Sequence, residues 1–131
     1  MKKEFKNFIN RLEKSKDSFR ATATEKRHHV GFRTARENLE DLADPESFLE
    51  FGEFAVAAQR SRRDYEELQA ETSADGILTG FCTINAGQVD ENRAHVVAIV
   101  YDYSVLAGTQ GFFHHQKLDR ITEQAEKFNL P

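Results

Sequence analysis

Residues 75–101 read DGILTGFCTINAGQVDENRAHVVAIVY, and this stretch decides the fold. Gly76 to Ile84 is apolar, rich in β-formers and bounded by Asp75-Gly76 and Asn85-Ala86-Gly87. Gln88 to Arg93 is a polar turn. Ala94 to Tyr101 is almost wholly apolar, which predicts a strand covered on both faces. Two such runs joined by a short turn predict an antiparallel hairpin. Cys82 lies inside the first run among apolar neighbours and reads as a buried structural thiol. A reactive thiolate needs an exposed, electropositive setting, which a strand interior does not supply.

Working outward towards the C-terminus, Ser104-Val105-Leu106 leads into Ala107-Gly108-Thr109-Gln110-Gly111. A helix then runs from Phe112 or Phe113 to about Asn129, with Leu118, Ile121, Ala125 and Phe128 on one side. Glycines let a backbone approach a ligand, and a helix N-terminus presents free N–H groups. Such a turn can hold a phosphate, a carbonyl oxygen or an enolate. The same residues also read as a plain strand-to-helix turn. Neither G-x-x-x-x-G-K-[ST] nor G-x-G-x-x-G is present. His114-His115 and His28-His29 are adjacent pairs, so their side chains diverge on a helix and do not share a metal. They read as surface or capping histidines. No H-E-x-x-H or C-x-x-C occurs, and no metal site is expected.

Towards the N-terminus, Thr34 to Leu42 reads as a helix. Thr34 and Glu37 have the spacing of a capping box, and Ala35, Leu39 and Leu42 form the apolar face. Asp44-Pro45 ends it. Ser47 to Phe51 alternates like a short strand. Ala55 to Ser73 is highly charged with a thin apolar stripe, and reads as a mobile loop or a loosely held helix. Lys3 to Phe19 carries Phe5, Phe8, Ile9, Leu12 and Phe19 at helical spacing. Thr22 to Gly31 is polar and basic and reads as a connection.

A chain of 131 residues suits one domain. Residues 1–36 carry a net charge of +7 and residues 37–131 a net of −11. A basic arm of this kind reads first as a solvated helix face, and nucleic-acid binding is not expected, since aromatic and basic residues are not interleaved. A single cysteine excludes an internal disulfide. No run of 18 apolar residues exists and the first residues lack a signal-peptide core, so a cytoplasmic protein with no membrane segment is expected.

The order of the pieces carries more than any one of them. Ala35-Arg36-Glu37, Leu42, Asp44-Pro45, Ser47-Phe48 and Glu50 resemble the A-R-E…L-x-D-P-x-S-F-x-E opening of biotin-dependent carboxyltransferases of the acyl-CoA carboxylase β-subunit type. The resemblance continues through Asp75-Gly76-Ile77-Leu78-Thr79-Gly80, Ile84-Asn85, Asp102-Tyr103-Ser104-Val105, Gly108-Thr109-Gln110-Gly111, Lys117-Leu118 and Arg120. It covers about residues 33–131. It implies an α/β (α+β) fold, a partial crotonase-like β-β-α superhelix with N-terminal helices. Residues 1–32 would be a basic helix and connection, and residues 33–131 an incomplete N-terminal carboxyltransferase lobe. The implied chemistry is transfer of a carboxyl group from carboxybiotin to the α-carbon of an acyl-CoA through an enolate. The implied partners are acyl-CoA, a biotin carboxyl carrier, the remaining carboxyltransferase lobes and further copies in a homo-oligomer. The family's Gly-Gly oxyanion loop lies beyond the strand that would follow Pro131. The chain alone is therefore expected to be inactive, with no catalytic residue of its own. Arg36, Gly108, Thr109 and Gly111 are the candidate CoA contacts. The alternative is a non-catalytic interaction or assembly module of the same fold.

Overall fold

The computed structural model describes residues 1–131. Three strands form one antiparallel sheet: β1 (Leu49–Phe51), β2 (Ile77–Thr83) and β3 (His95–Tyr101), in the order β1-β2-β3. The hairpin runs from Ile77↔Tyr101 to Thr83↔His95, and β1 adds on the other side with Leu49↔Phe81. Gly80 permits that addition. A Cβ there would overlap the Leu49 carbonyl oxygen and stand 2.6 Å from the Phe48 ring.

The period of two divides the hairpin between two layers. Leu78, Cys82 and Ala98 face helix α3 (Ala35–Leu42), meeting Ala35 and Leu39 in the larger apolar cluster. Ile77, Thr79 and Phe81 face the opposite way, towards helix α6 (Phe112–Phe128), where Phe81 meets Phe128 edge-on at 6.0 Å. The strand covered on both faces is thus β2. β3 was expected to be covered so, but it is an edge strand with Ile99 40% and Tyr101 45% exposed. After α6 the chain returns to that edge, where the Val97 amide donates to the Pro131 carbonyl at 2.9 Å.

The α3 boundary follows its local code. The Thr34 hydroxyl accepts from the Glu37 amide and the Glu37 carboxylate from the Thr34 amide, a complete capping box. Leu42 departs from the expected face and is exposed. Asp44, just beyond the helix, binds the turn after β2. Its carboxylate accepts from the Ala86 and Asn85 amides and the Thr83 hydroxyl, and these bonds hold its pKa below the ordinary carboxylate range.

Three expectations are corrected. The first helix, α1, spans Lys3–Glu13 rather than reaching Phe19, and turns carry the chain to Arg20. The expected connection is a helix, α2 (Ala21–His29). Its sequence, ATATEKRHH, has no apolar stripe and no buried residue, so periodicity is silent. Ala, Glu, Lys and Arg propensity and basic residues in the last turn favour it instead. It ends in a Schellman motif: Gly31 at φ +80 donates to His28 and Phe32 donates to Arg27. Within 55–73 a seven-residue helix, α4 (Tyr65–Glu71), is held by the fully buried Leu68 against Val56 and Ala57. The Thr72 hydroxyl fastens that segment, accepting from the Ala57 amide and donating to the Leu68 carbonyl. A four-residue helix, α5 (Glu91–Ala94), capped by Asp90, fills the hairpin turn. No helix is long and apolar enough to cross a membrane.

Candidate functional site

Two left-handed turns meet where β2 begins and α6 begins. Ala74, Asp75 and Gly76 have φ of 56°, 47° and 75°, and Leu106, Ala107 and Gly108 have φ of 48°, 53° and 79°. Four of these six are not glycine, and each such residue costs roughly 1–2 kcal/mol in this region. The turns lock together. A Cβ on Gly76 would lie 3.2 Å from Val105, and the Asp102 amide donates to the Gly76 carbonyl at 2.8 Å.

The Gly108–Gly111 turn does precede a helix, but the helix N-terminus already holds an anion. Asp75 is buried, and its Oδ2 accepts from the His114 amide at 2.9 Å. Gly111 is the helix N-cap, and a Cβ on it would lie 2.8 Å from Asp75 Oδ1. The chain's own carboxylate therefore takes a free amide of the helix N-terminus that such a turn can offer to a phosphate, a carbonyl oxygen or an enolate. Thr109 is exposed and its hydroxyl makes no bond within the chain.

His114 is not a surface or capping histidine. It is fully buried, with Nδ1 3.0 Å from the Asp75 carbonyl and its ring edge-on to Tyr101 at 4.8 Å. The carbonyl accepts, so Nδ1 carries the proton and Nε2 is left without a partner. Burial pushes the His114 pKa down. His115 is exposed. One turn along α6, the Lys117 ammonium donates to the carbonyls of Ala74 (2.7 Å) and Ile77. Its stem lies over Gly52, where a Cβ would come within 2.9 Å of it. Burial pulls the Lys117 pKa down to about 8.

Arg36 is not brought to the turn. Its guanidinium grips Glu50 with two parallel bonds of 2.9 and 3.0 Å, and its Nε donates to the Ser15 carbonyl. That geometry ties α3 to β1 and to the chain before α2, and leaves little of the guanidinium for a phosphate. Arg20, which sequence reasoning passed over, does reach the region. Buried, it donates to Asp102, the Ser104 hydroxyl and the Ala70 carbonyl. Next to it opens a cleft of about 870 Å³ between α2 and the Tyr103–Ala107 turn. Cys82 is buried as expected, and burial pushes its thiol pKa up. No three His, Cys, Asp or Glu side chains gather to hold a metal ion.

Asp75 and Lys117 stood in the sequence only as members of the resembling blocks, and their roles were not readable, because each works through backbone groups about 40 residues away.

No protein-family model matches the chain. The propionyl-CoA carboxylase beta chain of Roseobacter denitrificans is 30% identical over 130 residues, which cover 96% of this chain and 24% of that relative. Among solved structures, a transcarboxylase 12S subunit, described as a hexamer, matches with a TM-score of 0.61 and 34% identity over 79% of this chain and 18% of its own. The chain is a homologue of the carboxyltransferase subunits of acyl-CoA carboxylases and has part of their crotonase-like fold. A particular likeness runs over the whole chain. A single-chain, multi-domain long-chain acyl-CoA carboxylase matches all 131 residues with a TM-score of 0.96 and 46% identity, and those residues are 13% of that chain. The chain thus spans less than a quarter of the length of each of these proteins.

Proposed function

We propose that this chain supplies part of the carboxyltransferase of a biotin-dependent acyl-CoA carboxylase. Residues 33–131 would form the start of the N-terminal lobe, and residues 1–32 a basic arm laid against it. The observation that carries this reading is the 46% identity at a TM-score of 0.96 along the full chain. In the reaction an acyl-CoA loses its α-proton and the enolate takes up carbon dioxide from carboxybiotin, which arrives as co-substrate on a carrier domain. Such an enolate needs paired backbone N–H donors. No Gly-Gly pair occurs in this chain, and the α6 N-terminus is filled by Asp75, so the chain by itself binds rather than catalyses. No residue here is assigned to the biotin ring.

The Gly108–Gly111 turn, with Thr109 exposed on it, is the proposed CoA-facing backbone, and Arg36 acts behind it by fixing β1 through Glu50. The other partners are a biotin carboxyl carrier, the remaining lobes and further copies of the assembled enzyme, in the cytoplasm. Isothermal titration with propionyl-CoA tests the reading. Saturable binding that weakens with Gly108→Val is expected; a folded protein that takes up no acyl-CoA overturns it.

A second reading, a non-catalytic assembly module of the same fold, is favoured by the aromatic side chains α6 leaves in solvent. Phe112 is 60% and Phe128 52% exposed. Sedimentation velocity decides it: a monomer at all concentrations removes this reading.

A further inference from the structure

Few groups fasten α1 to the rest of the chain. None of its residues is buried. Phe8 meets Phe54 edge-on at 5.6 Å, and Arg11 joins the helix to α4. The Arg11 Nη2 donates to the Phe54 carbonyl at 2.8 Å and its Nε to the Tyr65 hydroxyl at 3.3 Å, while Nη1 is buried and has no partner. A second guanidinium comes to the same ring. Arg60 stands 4.6 Å from the centre of Tyr65 and Arg11 stands 5.9 Å from it. Neither arginine forms an ion pair, and Arg60 is exposed and spends no side-chain hydrogen bond. Of the nearby carboxylates, Glu67 is answered by Arg63, and Asp64 and Glu66 are exposed. Two cations thus bracket one phenol with no anion between them, and like charges repel until one joins them. Paired guanidinium groups suit a phosphate above other anions. The group placed to carry a phosphate there is the phenol itself, 37% exposed at the first residue of α4. Burial alone would push the Tyr65 pKa up, but hydrogen bonds from Gln69 and Arg11 and the charges of Arg11 and Arg60 outweigh it and bring it below the ordinary tyrosine range. The other two tyrosines differ. Tyr103 faces one guanidinium, that of Arg27, and the Tyr101 hydroxyl accepts from the Gln110 amide.

We propose that Tyr65 is a phosphorylation site and that Arg11 and Arg60 receive its phosphate. A protein-tyrosine kinase supplies the γ-phosphoryl group of a nucleoside triphosphate. A bond forms between Tyr65 Oη and phosphorus, and the bond from phosphorus to the β–γ bridging oxygen breaks. Nucleoside diphosphate leaves, and the phenol proton passes to the kinase. The product sets a charge of about −1.5 to −2 and three acceptor oxygens between the two guanidinium groups. Arg11 belongs to α1 and Tyr65 to α4, so the phosphate locks the basic arm onto the segment 55–73. The site acts on how the arm is attached, and it stands apart from the carboxyltransferase reading.

Two measurements test this. In the first, the full chain is incubated with MgATP and a broad-specificity protein-tyrosine kinase, and its peptides are mapped by mass spectrometry. Phosphate is expected on Tyr65. Phosphate on Tyr101 or Tyr103 alone, or on no tyrosine, overturns the proposal. In the second, phosphotyrosine is genetically encoded at position 65 and thermal melts are compared with the unmodified chain. A rise in Tm of about 5 °C is expected, from one or two new charge-assisted bonds. The rise should shrink in about 1 M NaCl, which screens exposed charges. Arg60→Ala removes an exposed side chain, so it should keep the fold by circular dichroism and lose about half of the rise. Phosphotyrosine encoded at position 101 should give no rise. If Tm does not rise with phosphotyrosine at 65, or if Arg60→Ala leaves the rise intact, the two arginines do not receive the phosphate and the proposal is wrong.

Discussion

Gly80 has no room for a methyl group. Its Cα faces the Leu49 carbonyl and the Phe48 ring, so β1 lies against β2 only while position 80 is bare. Gly80→Ala should lower stability by about 2 kcal/mol, since β1 must move or a ring leave its rotamer. Urea unfolding checks this, and an unchanged midpoint would show that β1 yields freely. By contrast a Cβ on Gly87 meets nothing within 4 Å, and Gly87→Ala is the matching control. Of the single residues, Cys82 was readable in the sequence because burial of a thiol in an apolar strand is a local pattern. His114 was not. What buries it is Asp75 held in a left-handed turn 39 residues earlier, and neither the turn nor the distance is written near His114.

Among the elements, α6 depends on two groups from the Ala74–Ile77 turn. Asp75 caps its start, and Lys117 seals its first turns onto carbonyls. Lys117 also gives the protein an alkaline signature. Its folded pKa is about 8 against an ordinary 10.5, so between these values the unfolded chain binds the extra proton. Stability contributed at this site should therefore rise with pH from about 8 to 10.5 and level off beyond, by up to about 3 kcal/mol. Thermal melts across that range should show the rise in the wild type and lose it in Lys117→Met. His114 works in the acid direction. Its folded pKa is lowered, so its contribution falls as pH drops below the ordinary value of 6.5, until the folded pKa is passed. The elements visible in the sequence were those with a local code: the capping box of α3, the hairpin and the stripe of α6. The polar α2 and the charged α4 have little apolar pattern. One is a helix by propensity and the other is fixed by Leu68 and the Thr72 hydroxyl, and periodicity weighs neither. The apolar run in β3 promised cover on both faces because composition does not say which strand of a hairpin is central.

In the whole molecule the uneven charge is partly spent inside it. Of the basic N-terminal 36 residues, Arg11 donates to the Phe54 carbonyl, Arg20 to Asp102 and Arg36 to Glu50. These three bonds hold the arm against the acidic remainder. The Arg20–Asp102 pair is more buried than Arg36–Glu50, with side chains 5% and 13% exposed against 19% and 14%. Removing one partner leaves the other charge buried, so Arg20→Ala should cost about 3 kcal/mol. Limited proteolysis should then cut before residue 33 while residues 33–131 persist as a resistant core. Equal protection in variant and wild type would mean that the arm is held elsewhere. The arm thus appears in the sequence as a charge imbalance, and only the fold shows which of its cations are engaged and which, at Lys26 and Arg27, form no ion pair.

β3 carries one further consequence. His95–Tyr101 is an edge strand of Val, Ile and Ala with no proline and no acidic or lysine side chain along it, and Pro131 answers one amide of its outer side. Such an edge is a template for strand addition. Light scattering at rising concentration is expected to show association through this edge, and Ile99→Lys, a gatekeeper charge on it, is expected to reduce that association.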